Sequence, residues 1–257
     1  MSGAPICVVT TQRTGSTWFM QLLNAAPGLK AYGEIFREIT SDQFAGDARL
    51  RPPVFYKEFR RGAAGGPLGA IGGYLDLIAA DAGARPAFKV MYDQLRRRPE
   101  IGVGLLAKRC RFVHLVRRNY LDVVISKNLM KQKRLIHSTS PVDTPTIRID
   151  PALFMRQMGR IDLQVRAVSA LLAAAPGGRL TVAYEDLMHD PQAELWRVAD
   201  FAGAPRFAFV QDENNWRKTN TRAPDEVVEN FAEVSAAIGR SRFRPLLSYA
   251  RGENGPG

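Results

Sequence analysis

Short apolar segments alternate with segments of helical periodicity along the chain, and this alternation restricts the fold more than any other feature. The predicted strands are Ile6–Thr10, Ala31–Gly33, Ala87–Met91, Phe112–Val116 and Leu180–Ala183. The predicted helices are Ser16–Asn24, Tyr74–Asp81, Glu100–Ala107 and Tyr120–Lys131. Because continuously apolar strands are typical of a parallel sheet covered on both faces, the sequence predicts a three-layer α/β domain with a central parallel sheet flanked by helices. Ligands bind such sheets at the carboxyl ends of the strands.

Two other segments have a clear local pattern. The glycine-rich stretch Gly62–Gly73 does not follow a predicted strand, so we predict a flexible loop there, with a lid near the site as the alternative. A long helix is predicted to begin at Asp150-Pro151, since aspartate caps helices and proline suits the first helical position. Apolar residues from Phe154 to Leu172 step by four and three along it, which indicates core packing.

Length and charge limit the class of protein. A chain of 257 residues fits one domain spanning residues 1–257, and a formal charge of +11 favours an anionic partner. No apolar run approaches the roughly 20 residues of a membrane span, and no signal peptide is apparent, so we expect a cytoplasmic protein. Cys7 and Cys110 lie in apolar runs and are interpreted as buried thiols; with no ligand spacing among the histidines, no metal site is predicted.

The turn after the first predicted strand reads TTQRTGSTWF over residues 10–19. Gly15 lets the backbone turn close to a ligand, and the N–H groups of the helix starting near Ser16 favour an anion. The hydroxyl groups of Ser16 and Thr17 add donors, and Arg13 adds a forked positive charge. The turn lacks the lysine of the G-x-x-x-x-G-K-[ST] loop, which argues against nucleoside-triphosphate chemistry. A plain helix cap with a surface arginine is the alternative interpretation.

A second candidate anion site lies where the fourth predicted strand ends. The segment FVHLVRRNYLDVVISKNLM, residues 112–130, brings Arg118 to the end of the strand and Ser126 two turns into the next helix. Both side chains could contact one anion. A surface arginine and an ordinary helix serine are the alternative.

Together these two segments resemble the sulfotransferases that use 3′-phosphoadenosine 5′-phosphosulfate (PAPS), closest in pattern to bacterial trehalose or carbohydrate sulfotransferases. The run Arg13-Thr14-Gly15-Ser16-Thr17-Trp18 resembles the core of that family that holds the 5′-phosphosulfate. Arg118-Asn119 through Ser126 resembles the segment that holds the 3′-phosphate. The resemblance covers about residues 5–235. It implies a P-loop-like nucleotide-binding topology, PAPS as sulfuryl donor and adenosine 3′,5′-bisphosphate as product.

Three later segments match the same family in order. Tyr184-Glu185-Asp186-Leu187, followed by Asp190-Pro191, resembles a segment whose tyrosine lies near the adenine. Arg217-Lys218-Thr219 resembles the late basic turn that closes over the cofactor, and Phe88-Lys89-Val90-Met91 resembles the lysine-bearing strand.

The resemblance also implies the catalytic groups. The histidine that serves as base in the aryl and steroid branch is absent after Lys89, whereas Gly33-Glu34-Ile35-Phe36 resembles the glutamate segment of the trehalose branch. Glu34 is therefore the predicted base, with Glu38 and Asp93 as lesser candidates and a solvated carboxylate as the alternative. Arg13 and Lys89 would stabilise the transferred sulfuryl oxygens and the bridging oxygen, without a metal.

The acceptor is less defined by the sequence. Loops are expected at about residues 37–73 and 131–147, and their basic character favours a polar or anionic small molecule, carbohydrate or glycolipid, with a natural-product hydroxyl as the alternative. Two alternative functions are weighed. A P-loop-type kinase acting on a small molecule would need a lysine in the loop, which is absent. A nucleic-acid-binding protein would have its basic residues clustered, whereas those of this chain are scattered. The tail from about residue 250 to 257 is expected to be disordered. The resemblance suggests a bacterial source, and the oligomeric state is not readable.

Overall fold

The described chain, in a computed structural model, comprises residues 3–133, 146–210 and 222–250, and it forms a five-stranded parallel sheet in the order β2-β3-β1-β4-β5. The strands are β1 (Ile6–Thr10), β2 (Leu29–Glu34), β3 (Arg85–Met91), β4 (Arg111–Val116) and β5 (Arg179–Ala183). Every neighbouring pair is parallel. The predicted central parallel sheet is therefore confirmed, and β2 is longer than its predicted segment.

Helices connect and follow the strands. They are α1 (Ser16–Asn24), α2 (Tyr56–Phe59), α3 (Gly66–Ala82), α4 (Tyr92–Arg97), α5 (Pro99–Ala107), α6 (Tyr120–Lys133), α7 (Pro151–Ala173), α8 (Tyr184–His189), α9 (Pro191–Ala202), α10 (Pro224–Val227), α11 (Phe231–Gly239) and α12 (Leu247–Ala250). Short 3₁₀ turns cover Ser41–Gln43, Ala48–Leu50 and Arg244–Leu246.

Backbone contacts divide the chain into two compact units. The first comprises Met1–Val116 and Val168–Asn215, and the second comprises Arg117–Ala167 and Trp216–Gly257. The predicted single domain over residues 1–257 stays a prediction. The end of the predicted tail, residues 251–257, lies outside the described residues.

The core of the first unit forms where one face of the sheet meets α1 and α9. Ile6 and Val8 alternate on β1 and pack with Phe19, Met20 and other apolar residues that are fully or almost fully buried. Burying one such side chain contributes about 1.5–3 kcal/mol relative to leaving it exposed. This packing fixes the orientation of α1 at the end of β1.

The second unit has a core of its own. Phe154, Met158 and Ile161 of α7 are buried in it, which confirms the predicted apolar stripe for this part of the helix. Asp150 caps α7 by accepting a hydrogen bond from the backbone N–H of Ala152. The buried carboxamide of Asn230 donates to the carbonyl of Ile149 and accepts from its N–H, so the chain before α7 is held by both backbone groups.

The prediction of a flexible loop over the whole glycine-rich stretch Gly62–Gly73 was wrong. Helix α3 begins at Gly66, eight residues before the helix predicted at Tyr74. Pro67 occupies the first turn, where its missing N–H is not needed. Buried residues at helical spacing, among them Ala70, Ile71 and Tyr74, stabilise the segment and outweigh the low helix propensity of its glycines.

A polar network lies inside the opposite face of the sheet. His114 of β4 is fully buried, with Tyr92 Oη 2.5 Å from its Nε2 and Ser169 Oγ 3.2 Å from its Nδ1. A neutral imidazole has one donor and one acceptor, so it can satisfy both hydroxyl groups. Burial, reinforced by the nearby charge of Arg179, lowers the pKa of His114 to about 4.

This network makes folding sensitive to acid. The pKa of a histidine in the unfolded chain is about 6.5, whereas that of His114 in the folded chain is about 4. Between these two pH values the imidazole is therefore mostly protonated in the unfolded chain and mostly neutral in the folded one. The contribution of the neutral His114 to the free energy of unfolding is complete above pH 6.5 and is lost as the pH falls towards 4. We expect the difference in unfolding free energy between wild type and His114→Gln to shrink by about 2 kcal/mol from pH 7.5 to 5.0.

Urea unfolding at the two pH values measures this difference. His189→Gln changes an exposed histidine and is the matched control, which should leave the pH dependence as in wild type. A difference between wild type and His114→Gln that does not vary with pH would contradict the assignment.

Candidate functional site

The turn between β1 and α1 has an unusual backbone. Arg13 adopts a φ of 68° and Gly15 a φ of 71°, both in the left-handed region. A non-glycine residue with this conformation is uncommon and costs energy, which surrounding contacts must offset. Since the residue before α1 is glycine, no side chain at that position competes for the N–H groups of the first helical turn.

Two buried threonines hold the turn. Thr14 Oγ1 lies 3.0 Å from the carbonyl oxygen of Thr11 and 2.7 Å from Thr10 Oγ1. Thr10 Oγ1 in turn lies 2.8 Å from the carbonyl oxygen of Leu115 on β4. The Thr14 hydroxyl is thus committed to the protein interior.

Tyr184, the first residue of α8, packs directly against this turn. A Cβ atom built on Gly15 would lie 2.5 Å from Cε2 of the Tyr184 ring, which is closer than real contacts allow. Position 15 therefore requires glycine for two reasons: its φ is left-handed, and the Tyr184 ring leaves no room for a Cβ atom. Trp18 is partly buried and packs against the core of the first unit, so it supports α1.

Lys89 lies between the start of α1 and the end of β2. Its Nζ is 3.4 Å from Ser16 Oγ and 3.6 Å from Glu34 Oε1. Glu34 pairs with Lys89 in the sheet register because the register shifts between Tyr32 and Glu34, at Gly33. Such a bulge redirects the side chain that follows it. Without the shift, the carboxylate would be displaced from the lysine.

The electrostatics of the three groups follow from burial. Lys89 is only 6% exposed, and this burial lowers its pKa; the Glu34 carboxylate opposes the lowering, whereas the charge of Arg37 adds to it. The Glu34 side chain is 31% exposed. A buried cation, a partly exposed carboxylate and a helix N-terminus therefore meet at one edge of the sheet. This edge can hold an anion and can accept a proton beside it.

The structure places the other predicted site residues as follows. Arg118 is exposed, and Ser126 is half-buried on α6; both belong to the second unit. Asn119 caps α6 by accepting from the N–H of Asp122, whose carboxylate pairs with Arg117. Arg217 and Lys218 lie outside the described residues. That these four cationic or hydroxyl side chains bind the same ligand as the turn stays a prediction.

The lesser candidates for the base have arginine partners. Glu38 lies 2.8 Å from Arg98 and 3.0 Å from Arg60, and Asp93 lies 4.0 Å from Arg97. Sequence reasoning missed the direct approach of Lys89 to Glu34 and the proximity of Arg37. The signal that could have found the first is Gly33, since an isolated glycine inside a strand often marks a bulge.

The described residues contain neither a metal-binding cluster nor a membrane-spanning helix. In the described ranges, no group of three or more histidine, cysteine or acidic side chains could hold a metal ion. Cys7 and Cys110 are buried and unpaired with each other, and burial raises the pKa of both thiols. No helix in the part of the chain that is described has the length and apolar character to cross a bilayer.

Comparison with solved structures finds similar folds. The sulfotransferase domain from the curacin biosynthetic pathway has 15% identity and a TM-score of 0.52, and the match covers 100% of this chain and 99% of that one. A mouse sulfotransferase, SULT7A1 complexed with PAP, has 14% identity and a TM-score of 0.47, covering 96% and 88%. A sulfotransferase from Alicyclobacillus acidocaldarius has 15% identity and a TM-score of 0.46, covering 99% and 98%.

No curated protein matches the sequence. The likeness to the curacin-pathway domain concerns the fold, a parallel sheet with P-loop-like nucleotide-binding topology. The sequence also matches the family model of the sulfotransferase domain over residues 4–232, which is most of the chain. The buried lysine, the glycine turn and the strand-end glutamate therefore lie within the matched region, and the chain belongs to the sulfotransferase domain family.

Proposed function

We propose that the protein transfers the sulfuryl group of PAPS to a hydroxyl group of a small-molecule, carbohydrate or glycolipid acceptor. Family membership supports sulfuryl transfer in general. The observation that carries the proposal is the position of Lys89 Nζ, between Ser16 Oγ at 3.4 Å and Glu34 Oε1 at 3.6 Å. In this arrangement the Lys89 ammonium group is the cation that would stabilise the departing phosphate. The neighbouring Glu34 carboxylate would accept the proton of the acceptor hydroxyl.

The donor's phosphosulfate would be held by the turn between β1 and α1. The N–H groups from Thr14 to Thr17, the hydroxyl groups of Ser16 and Thr17 and the guanidinium of Arg13 are the proposed donors. Tyr184 would lie near the adenine, since its ring already packs against Gly15. Arg118, Ser126, Arg217 and Lys218 are the proposed ligands of the 3′-phosphate.

The proposed reaction is an in-line displacement at sulfur. Glu34 takes the proton of the acceptor hydroxyl as the oxygen–sulfur bond forms, and the bond from sulfur to the bridging phosphate oxygen breaks. The electron pair of that bond stays on the phosphate, which leaves as adenosine 3′,5′-bisphosphate. Lys89 and Arg13 stabilise the charge that develops there, and burial strengthens the effect of Lys89 because nearby water is excluded.

Binding of the product nucleotide tests the donor. In calorimetric titrations we expect adenosine 3′,5′-bisphosphate to bind and ATP with magnesium not to bind. Arg118→Ala should weaken bisphosphate binding about tenfold to hundredfold, because it removes charge-assisted hydrogen bonds. Arg160→Ala, an exposed arginine of the same unit, is the control and should bind as wild type does. Binding of ATP with magnesium but not of the bisphosphate would overturn the proposal.

Replacement of the proposed base tests the chemistry. Glu34→Gln keeps the shape of the side chain and removes its ability to accept the proton, so kcat should fall about 10²- to 10⁴-fold while bisphosphate affinity changes little. Transfer from labelled PAPS to an acceptor found by screening measures kcat. Asp93→Asn is the matched control and should retain activity. If Glu34→Gln stays within tenfold of wild type, another group is the base.

Two glycine variants test the turn. Gly15 and Gly28 both have φ above 70°, but only at Gly15 would an added Cβ overlap a neighbour, the Tyr184 ring. Gly28→Ala should cost about 1–2 kcal/mol of stability from backbone strain alone and leave bisphosphate affinity unchanged. Gly15→Ala should also weaken bisphosphate binding, because the ring or the turn must shift. Equal bisphosphate affinity in both variants would argue against a ligand at this turn.

A further inference from the structure

Two arginines enclose one carboxylate in the loop that follows β2. Glu38 Oε2 accepts a hydrogen bond from Arg60 Nη2 at 3.0 Å, and Glu38 Oε1 lies 2.8 Å from Arg98 Nη1. The guanidinium carbons of Arg60 and Arg98 lie 6.0 Å and 5.3 Å from the centre of the Tyr56 ring. We call Arg60, Arg98 and Tyr56 the arginine cradle.

The floor of the cradle is held in place. Tyr56 is buried, and its ring contacts the rings of Phe36 at 5.1 Å and Tyr74 at 5.2 Å. Tyr74 Oη bridges the loop, since it lies 2.8 Å from the carbonyl oxygen of Val54 and 3.1 Å from that of Ile35. Arg60 follows α2 and Arg98 follows α4, so separate elements supply the two cations. Two arginines over a fixed aromatic ring suit the recognition of a planar carboxylate.

Glu38 fills the cradle imperfectly. Two guanidinium groups face the one carboxylate of Glu38, although the charge of Glu100 also reaches Tyr56. Arg98 Nη1 is buried and makes no hydrogen bond among the described residues, although Glu38 Oε1 is only 2.8 Å away, because the geometry is poorly aligned. A buried donor without an aligned acceptor is unfavourable. Since the Glu38 side chain is 46% exposed, its carboxylate can be exchanged for that of a ligand without opening the core.

The cradle lies close to the proposed base. The backbone N–H of Arg37 donates to the carbonyl of Glu34 at 3.2 Å, so residues 34–37 form a tight turn. The Cα atoms at the ends of such a turn are less than about 7 Å apart, and one more residue adds about 3.8 Å. The Cα atom of Glu38 therefore lies within about 11 Å of that of Glu34, so the cradle lies near the edge of the sheet at which β2 ends.

We propose that the arginine cradle binds the carboxylate of a hydroxyl-bearing acceptor, in exchange for the carboxylate of Glu38. This inference rests on the proposed function and gives the class of acceptor, an alcohol that also carries a carboxylate. The hydroxyl group would be presented to Glu34 while the carboxylate is held by Arg60 and Arg98. Glu38 keeps the two cations apart and partly neutralised when no acceptor is bound.

The test compares glucuronate with glucose, which differ by one carboxylate, on protein saturated with adenosine 3′,5′-bisphosphate. Glu38→Gln removes the competing carboxylate, so glucuronate should bind this variant about threefold to tenfold more tightly than wild type. Glucose should bind both alike. The double variant Glu38→Gln/Arg98→Gln should lose the gain. Arg96 is an exposed arginine of α4, the helix that Arg98 follows, and Arg96→Gln removes the same charge in the control double variant with Glu38→Gln, which should keep the gain.

Bisphosphate affinity and the thermal midpoint are measured for each variant, so that damage to the donor site or to folding is detected separately. Glucuronate that binds Glu38→Gln no better than wild type, or no better than glucose, overturns the cradle proposal even when the bisphosphate binds normally. Equal losses in the Arg98 and Arg96 double variants would also overturn it, since only overall charge would then matter. Failure of the wild type to bind the bisphosphate contradicts the proposed function instead.

Discussion

Strand β1 pairs in parallel with β3 on one side and with β4 on the other, and this pairing positions the candidate site. The edge of the sheet at which the site lies, formed by the carboxyl ends of the strands, is called the reaction edge. Val8 pairs with Lys89 in β3, and Thr10 reaches across to the Leu115 carbonyl of β4. Because all three strands run in one direction, their carboxyl ends lie at the same edge, and the turn after β1 opens there into α1. The buried packing of β1 and α1 keeps that turn rigid enough to hold left-handed backbone at Arg13 and Gly15.

Lys89 is the buried cation of the candidate site. A lysine in the middle of a buried strand is costly unless charge or polarity compensates it. Here Ser16 and Glu34 supply that compensation, and both distances, 3.4 and 3.6 Å, are long for the contacts concerned. The ammonium group is therefore placed without being tightly committed to either partner. An anion between the turn and the lysine would complete the electrostatics, which is what a leaving phosphate supplies in the proposed reaction.

The two faces of the sheet each bury one ionisable side chain, Lys89 on one face and His114 on the other. Val8 and Val9 are consecutive in β1 and pair with Lys89 and His114, so these side chains project to opposite faces. Lys89 faces α1 and the reaction edge, whereas His114 is enclosed by Tyr92 and Ser169. His114, the histidine of the described strands, thus makes its contacts inside the fold. The arginine cradle is a third polar cluster, and its carboxylate, Glu38, follows the bulge at Gly33 by five residues.

The order of strands and helices could be read from the sequence because continuous apolar runs and helical spacing are local signals. The start of α3 could not, since burial of several residues overrides weak propensity there. The six-residue helices α4 and α8 are too short to show helical spacing. The residues of the turn could be recognised from their types and spacing, whereas Lys89 and Glu34 were predicted through the family resemblance. Tertiary structure decided which of them meet: the bulge at Gly33 turns Glu34 towards Lys89, the Tyr184 ring closes over Gly15, and Glu38 enters the arginine cradle. Sequence spacing determines periodicity along one element, whereas contacts between elements depend on register and packing that no single segment encodes.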